Sequence, residues 1–488
     1  MAITTSETSV ASKAIDIIKS PNDKRQYRYI VLPNGMQVLL IHDSEIAPSL
    51  TAAATSSATT TASTSACNTS LSTSSSLKCE TAPHFELSSE SGVHPDAAAV
   101  KTEVEKMILD PESSMVIDDV VDGVTPDSRS EFEFESSKSQ IGAQANCITN
   151  ASKPSSSKKA AAALAMGVGS FSDPEHMQGL SHFLEHMLFM GNEKYPDENE
   201  YDSFLSKNSG SSNAFTELEM TNYHFDVAGS ELKHALERFS QFFIAPLCKE
   251  SSLEREVRAV DSEFRQVLQN DRCRLSQLMC YTSEPGHMFR SFSWGNRKSL
   301  WDLPQKSLSI ASSSTPSPST PSPSASIRDQ VLHYYRTHYS AERSALVILG
   351  GDDLDSLATF VANEFSHVPS GLGASPSFDG RGLPFRGHRL FAFPAVRDAH
   401  EMTVTFQMPS QFKEYRRKSD AYVAHLVGHE GPGSLLSALK MRGWATGVCA
   451  GIDGSGYGQN SACTVFNVTL TLTDQGLLAA LGVDGLGV

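Results

Sequence analysis

The sequence predicts an α+β fold built from mixed β-sheets that are covered by helices. Residues 28–42 have the pattern of two strands around an Asn-Gly turn. Residues 161–171 and 344–351 are apolar runs typical of buried strands, and a helix is predicted near 354–365. Strands and helices therefore both contribute to the predicted core.

Length and composition set the broad class of the protein. A chain of 488 residues is long enough for two to four domains, and 39% hydrophobic residues supports packed cores. No apolar run approaches the length of a membrane span, and the first twenty residues lack the apolar region of a secretory signal. The start is rich in Ser and Thr, as in some organelle-targeting segments, but Glu7 and Asp16 argue against one.

The cysteines bear on the cellular compartment. All eight are scattered along the chain, and none forms a C-x-x-C pair. Neither a cysteine zinc site nor a disulfide framework is therefore expected. A reducing, cytoplasmic setting fits this usage, with organellar targeting left open.

A long polar insert is predicted to be disordered over residues 48–158. It begins with Ser, Thr and Ala repeats, and residues 80–137 then hold 15 Asp or Glu against 3 Lys or Arg, a net of −12 in a chain of −16. The preferred interpretation is a solubilising spacer, and the alternative is a tethered polyanion that attracts basic peptides. We expect no nucleic-acid partner. A Ser/Pro loop over 306–326 is expected to carry no chemistry.

One motif carries chemistry, the string GLSHFLEHMLFMG over residues 179–191. On a helix, His182 and His186 lie one turn apart on one face, and two imidazoles at that spacing can bind one Zn²⁺. Glu185 lies beside them, where it can take a proton from water. This H-x-x-E-H pattern is the inverzincin signature. The alternative is a surface helix with two satisfied histidines.

A third zinc ligand is sought in the amphipathic helix predicted over residues 251–268, with Ser251 or Ser252 as its N-cap. It carries Glu256 and Glu263, which are seven residues apart and so lie on the same face. Either glutamate can complete a metal site, and the other can hydrogen-bond a ligating imidazole. Both can also be ordinary solvated helix residues.

Several strings together resemble the pitrilysin-type (insulysin-like) inverzincin metallopeptidases. They are residues 179–227, REVRAVDSEF over 255–264 and GHEGPGSLLSALKMRGW over 428–444. The resemblance covers about 25–47 and 160–475, and it implies two homologous units of mixed sheet covered by helices. After a flexible N-terminus over 1–24, these would be a zinc peptidase domain over 25–370 and a truncated second domain over 371–488. The family architecture is about twice as long, so its C-terminal half is absent here.

The resemblance also implies roles for individual residues. It assigns one Zn²⁺ per chain to His182, His186 and Glu263, with Glu185 as general base and Glu256 in support. It implies that substrate peptides bind along an edge strand at Asn213, Ala214 and Phe215, by main-chain hydrogen bonds. It further implies that the N-terminal end of the substrate is anchored at Gly428, His429, Glu430 and Gly433.

The function predicted from these residues is a zinc metalloendopeptidase. Acidic insertions occur in relatives that prefer paired basic residues, so the resemblance implies basic or dibasic substrates. The alternative is a truncated, catalytically incompetent homologue that binds peptides or a partner, although such a protein has no need for Glu185. A processing-peptidase-like subunit would require a targeting peptide. A complementing C-terminal half or a homodimer are the partners considered.

Overall fold

The computed structural model describes residues 17–49, 158–306 and 326–482. All of these except Leu390–Phe393 belong to one compact unit. The fold is a mixture of sheets and helices, so the predicted α+β class is confirmed. The predicted acidic insert and Ser/Pro loop lie almost wholly outside the described residues and stay predictions.

A six-stranded sheet forms the centre of the first part of the chain. Its strand order is β1-β2-β6-β3-β5-β4, with β2 and β6 parallel and the other pairs antiparallel. The Asn34-Gly35 turn joins β1 to β2, as the sequence predicts, and β4 lies at the edge of the sheet. The strands are β1 (Gln26–Val31), β2 (Gln37–His42), β3 (Lys159–Met166), β4 (Ser211–Thr216), β5 (Thr221–Ala228) and β6 (Ser344–Gly350).

Seven helices of eight or more residues accompany this sheet in the described part of the chain. The first of these helices carries the H-x-x-E-H motif. It is largely buried, and its apolar side chains Phe183, Leu184, Met187 and Leu188 are fully covered. The helices are α1 (Leu180–Leu188), α2 (Glu200–Lys207), α3 (Leu232–Gln241), α4 (Glu250–Val267), α5 (Asp271–Thr282), α6 (Ile327–His338) and α7 (Leu354–Phe365). Helices α1 and α4 pack against each other, which brings the two glutamate-bearing turns of α4 to the motif.

Two local predictions are corrected by the structure. Helix α4 begins at Glu250 with Lys249 as its N-cap and no side-chain cap, so neither Ser251 nor Ser252 has that role. The hydroxyl of Ser252 instead donates to Glu198. The strand predicted over 161–171 ends at Met166, and its last predicted residues form a short 3₁₀ helix over Ser170–Ser172 instead.

A second, three-stranded antiparallel sheet follows in the order β7-β9-β8. Its strands are β7 (Glu401–Pro409), β8 (Ala445–Ile452) and β9 (Cys463–Leu472). The helices α8 (Ser419–Val427) and α9 (Leu435–Met441) pack against β8, and α10 (Asp474–Ala480) follows β9. The domain division at residues 370 and 371 stays a prediction.

Candidate active site

The N-terminus of helix α1 is held by a carboxylate that precedes it. Asp173 accepts hydrogen bonds from the backbone N–H groups of Gly179 and Ser181, both at 2.8 Å, and from the Ser181 hydroxyl at 2.6 Å. Gly179 has φ of 88°, and a Cβ there would lie 2.2 Å from the Cα of Gly295. Only glycine fits such a position. Burial raises the pKa of the Asp173 carboxyl to about 7, against the effect of these donors.

The side chains of His182 and His186 on α1 converge with that of Glu263 on α4. The Nε2 atoms of His182 and His186 lie 3.3 Å apart, and Glu263 Oε2 lies 3.5 Å from each of them. A tetrahedral zinc with ligand distances of about 2.1 Å places its ligand atoms about 3.4 Å from one another. This triangle of two nitrogens and one oxygen therefore fits zinc, and it is the one group of its kind among the described residues.

Outer contacts orient the two imidazoles. His182 Nδ1 lies 2.7 Å from the carbonyl oxygen of Trp294, so this nitrogen donates and Nε2 is left to bind a metal. His186 Nδ1 faces Glu256 Oε2 at 3.6 Å. Of the two glutamates that the sequence left open, Glu263 faces both Nε2 atoms and Glu256 faces the opposite side of one ring. Their roles as ligand and support stay predictions.

The charges of this cluster depend on one another. Burial lowers the pKa of His186, but the facing carboxylates of Glu256 and Glu263 outweigh it and raise the pKa to about 9. Hydrogen bonds to His182 and then His186 hold the pKa of Glu263 far below its usual range. The metal-free cluster therefore attracts a cation, either a proton or a metal ion.

Glu185 is the carboxylate expected to act as base, and it is only 7% exposed. The hydroxyl of Thr216, the last residue of β4, donates to Glu185 Oε2 at 2.6 Å. Burial raises the pKa of Glu185, which suits a group that takes up a proton, while the nearby His182 lowers it. One hydrogen bond thus joins the predicted base, Glu185, to the edge strand.

A cavity of about 710 Å³ contains this cluster. Its wall includes the metal triangle, Glu185 and the edge strand from Ser212 to Thr216, so the predicted residues Asn213, Ala214 and Phe215 line it. Phe215 is 43% exposed. The structure therefore brings the predicted base, ligands and peptide-binding strand into one open cleft.

The second predicted substrate-binding group lies elsewhere. Gly428, His429, Glu430 and Gly433 fall in the connection between α8 and α9 and are not part of the cavity wall. His429 Nδ1 accepts a hydrogen bond from the backbone of Gly431 at 3.0 Å, which shapes this loop. A role in anchoring substrate stays a prediction.

Sequence reasoning missed several residues of the cleft. Thr216 could have been found, because it directly follows the predicted substrate-binding residues Asn213, Ala214 and Phe215. Asp453, Ser455 and Tyr457 could not, because they reach the cavity from the loop between β8 and β9, more than 230 residues further along the chain. The missed residues of the wall include Thr216, Glu217, Arg272, Cys273, Trp294, Asp453, Ser455 and Tyr457.

Two protein-family models match the chain. The model described as Insulinase (Peptidase family M16) matches residues 148–283, which contain the motif and Glu263. The model described as Peptidase M16 inactive domain matches residues 326–481, which contain the second sheet. The candidate metal cluster thus lies entirely within the segment that matches the first model.

Relatives agree with these matches. The chain is 47% identical to a nardilysin-like protein of Arabidopsis thaliana over 320 residues, covering 66% of this chain and 30% of that protein. It is 38% identical to nardilysin of Rattus norvegicus over 469 residues, covering 94% of this chain and 37% of that protein. The crystal structure of pitrilysin has the same fold, with a TM-score of 0.62 and 22% identity, over 97% of this chain and 36% of that one.

The chain therefore spans about a third of the length of these relatives. No helix among the described residues has the length and apolar character needed to cross a bilayer. On its family matches and its relatives, the chain belongs to the pitrilysin-type, insulinase-like peptidase family M16.

Proposed function

We propose that this chain is a zinc metalloendopeptidase that hydrolyses extended peptides in the cleft beside α1. The observation that carries the proposal is the triangle of His182, His186 and Glu263, with sides of 3.3–3.5 Å, next to the buried carboxylate of Glu185. A binding module has no use for a base in that position. We assign one Zn²⁺ per chain to the triangle.

In the proposed reaction, the residues of the chain hold the peptide and move a proton. A zinc ion held by the three ligands supplies Lewis-acid polarisation of a carbonyl oxygen and makes water in the cleft more acidic. Glu185 accepts the proton of the attacking water at its carboxylate and then delivers it to the nitrogen of the leaving amine. Thr216 holds one oxygen of Glu185, so the other is free to face the water.

The edge strand presents the substrate. Strand β4 pairs on one side with β5, and its other side is unpaired among the strands that the structure describes. A peptide added along this edge gains main-chain hydrogen bonds largely regardless of its sequence. Because this requires an extended backbone, we propose that substrates are short or unfolded peptides.

The charges of the cleft support a preference for basic peptides. Asp202, Glu217 and Asp453 line the cavity in addition to the carboxylates of the metal cluster. Arg272 is the single Lys or Arg of the lining, and it lies 3.9 Å from Asp453. An excess of carboxylates in a cleft raises the local concentration of cationic substrates. We therefore propose cleavage at basic or dibasic sites. A cytoplasmic location is proposed separately, from the scattered cysteines of the sequence.

The proposal is tested with a fluorogenic peptide that carries a dibasic site. The full chain is assayed with and without chelator, beside Glu185→Gln and beside Glu254→Gln as a control on α4 outside the cavity wall. Chelator-sensitive cleavage that is lost only in Glu185→Gln supports the proposal. Zinc bound at one ion per chain without any cleavage would mean that this chain alone is not a peptidase, and that turnover needs a complementing C-terminal half or a second copy.

A further inference from the structure

The turn that ends the edge strand is attached to the second sheet. Residues 217–220 join β4 to β5. Glu217, Leu218 and Glu219 all contact parts of the chain that come after residue 270 in the sequence. Leu218 is 1% exposed and packs in a cluster with Cys280, Phe289, Cys463 and Val465. The two flanking glutamates turn their carboxylates to the loop between β8 and β9.

Each of these carboxylates accepts backbone hydrogen bonds from that loop. Glu217 Oε2 accepts the N–H of Gly456 at 2.7 Å. Glu219 accepts the N–H of Ser461 at 2.6 Å through one oxygen and the Ser461 hydroxyl through the other. Hydrogen bonds to charged acceptors are among the stronger ones in proteins. The loop from Asp453 to Ala462 is therefore fastened at two points to the turn.

The fit at Gly456 shows how close this contact is. A Cβ at Gly456 would lie 2.8 Å from Glu217 Oε2 and 3.1 Å from the backbone nitrogen of Leu218. A methyl group at Gly456 would therefore crowd both the Glu217 carboxylate and the backbone of the turn. At Gly454, two residues earlier, a Cβ would meet nothing within 4 Å. The same loop places Asp453, Ser455 and Tyr457 in the wall of the cleft.

The fastened turn lies next to the proposed base. Thr216 immediately precedes Glu217. The Thr216 hydroxyl donates to Glu185 Oε2 at 2.6 Å and lies 3.4 Å from the hydroxyl of Thr221 at the start of β5. A shift of the turn would move Thr216 and with it the carboxylate of Glu185. The first and second sheets are thus connected through the strand that presents the substrate.

We propose that Glu217 and Glu219 are positioning residues, which fasten the end of the edge strand to the β8–β9 loop and thereby hold Thr216 and Glu185 in place for the reaction. The inference rests on the proposed function. It assigns to the second sheet a part in catalysis, although that sheet contributes no metal ligand. Cleavage should then depend on an intact contact between the turn and the loop.

Hydrogen exchange measured by mass spectrometry on the full chain tests the contact without any need for turnover. The double variant Glu217→Met/Glu219→Met removes the acceptors at similar length, and exchange over residues 211–221 and 453–462 should become at least about tenfold faster. Glu217→Gln/Glu219→Gln keeps one neutral acceptor oxygen at each position, so its exchange should lie between that of the wild type and that of the double Met variant. Glu193 is exposed, so Glu193→Met serves as the control for replacing a glutamate by methionine without breaking this contact.

Gly456→Ala tests the same contact from the loop, with Gly454→Ala as its matched control. It should speed exchange over the same two segments, because the added methyl group displaces the Glu217 carboxylate. The exchange rates of α1 and α4 should not change. The dissociation constant for zinc should stay within about threefold of the wild-type value. Unchanged exchange of the edge strand, or an equal rise across α1 and α4, would overturn the inference.

Peptide cleavage provides the second readout. If the wild-type chain cleaves the dibasic peptide, kcat of the double Met variant should fall at least about tenfold more than that of the Gln variant, with zinc still bound. Faster exchange with unchanged kcat would refute the positioning role. If the wild-type chain does not cleave, the proposed function fails for the isolated chain, and the exchange result alone then decides whether the turn is fastened.

Discussion

Glu263 Oε2 lies at the same distance, 3.5 Å, from the Nε2 atoms of His182 and His186. A carboxylate so placed between two imidazole nitrogens completes the geometry that zinc requires. We therefore expect Glu263→Gln to raise the dissociation constant for zinc by at least about 100-fold, because it removes the one charged group of the proposed ligand set. Competition with a chromogenic chelator measures this constant directly.

The control for that experiment is Glu254→Gln, on the same helix. Glu254 pairs with Arg258 at 2.7 Å and is not part of the cavity wall. Its replacement should leave zinc affinity unchanged. Equal zinc affinity in Glu263→Gln and Glu254→Gln would show that Glu263 is not a ligand.

Glu256 should have a smaller effect on zinc binding than Glu263. It faces His186 Nδ1 at 3.6 Å, on the side of the ring away from the triangle, and its other oxygen accepts Arg255 Nε at 3.1 Å. Loss of such outer partners typically weakens metal binding about 10- to 100-fold. We expect a weakening in this range for Glu256→Gln, and little change for Arg255→Gln. A loss as large as that of Glu263→Gln would mean that Glu256 is itself a ligand.

The two halves of the candidate metal cluster were predictable from sequence because each half lies on a single helix. Two histidines one helical turn apart, and two glutamates two turns apart, share a face by helix geometry alone. Helix geometry could not say which glutamate meets the histidines, since that depends on how α4 crosses α1, and only the family resemblance implied Glu263. Nor could the sequence indicate Asp453 or Tyr457, because their approach to the cleft depends on packing between two sheets. The N-cap prediction at Ser251 or Ser252 failed because Ser252 has a tertiary partner in Glu198.

Thr216 offers a test of how Glu185 is held. Thr216→Val removes the hydroxyl that donates to Glu185 Oε2 at 2.6 Å and preserves the shape of the side chain. We expect kcat to fall about tenfold with little change in KM, because the base loses its orientation while the edge strand remains. Thr216→Ser keeps the hydroxyl and should retain most of the activity. A fall of equal size in both variants would exclude the hydrogen bond as the cause.

Asp173 should give the metal-free protein a pH-dependent stability. Burial raises the pKa of its carboxyl from 3.8 to about 7 in the folded state, so the folded protein binds a proton more tightly than the unfolded chain does. The contribution of Asp173 is then largest below pH 4 and is lost as the pH rises to about 7. Asp173→Asn cannot ionise, so its melting temperature should fall less than that of the wild type over this range. Parallel melting curves across pH 4–7.5, recorded with chelator present, would contradict this expectation and would mean that the three donors at Gly179 and Ser181 keep the carboxylate ionised.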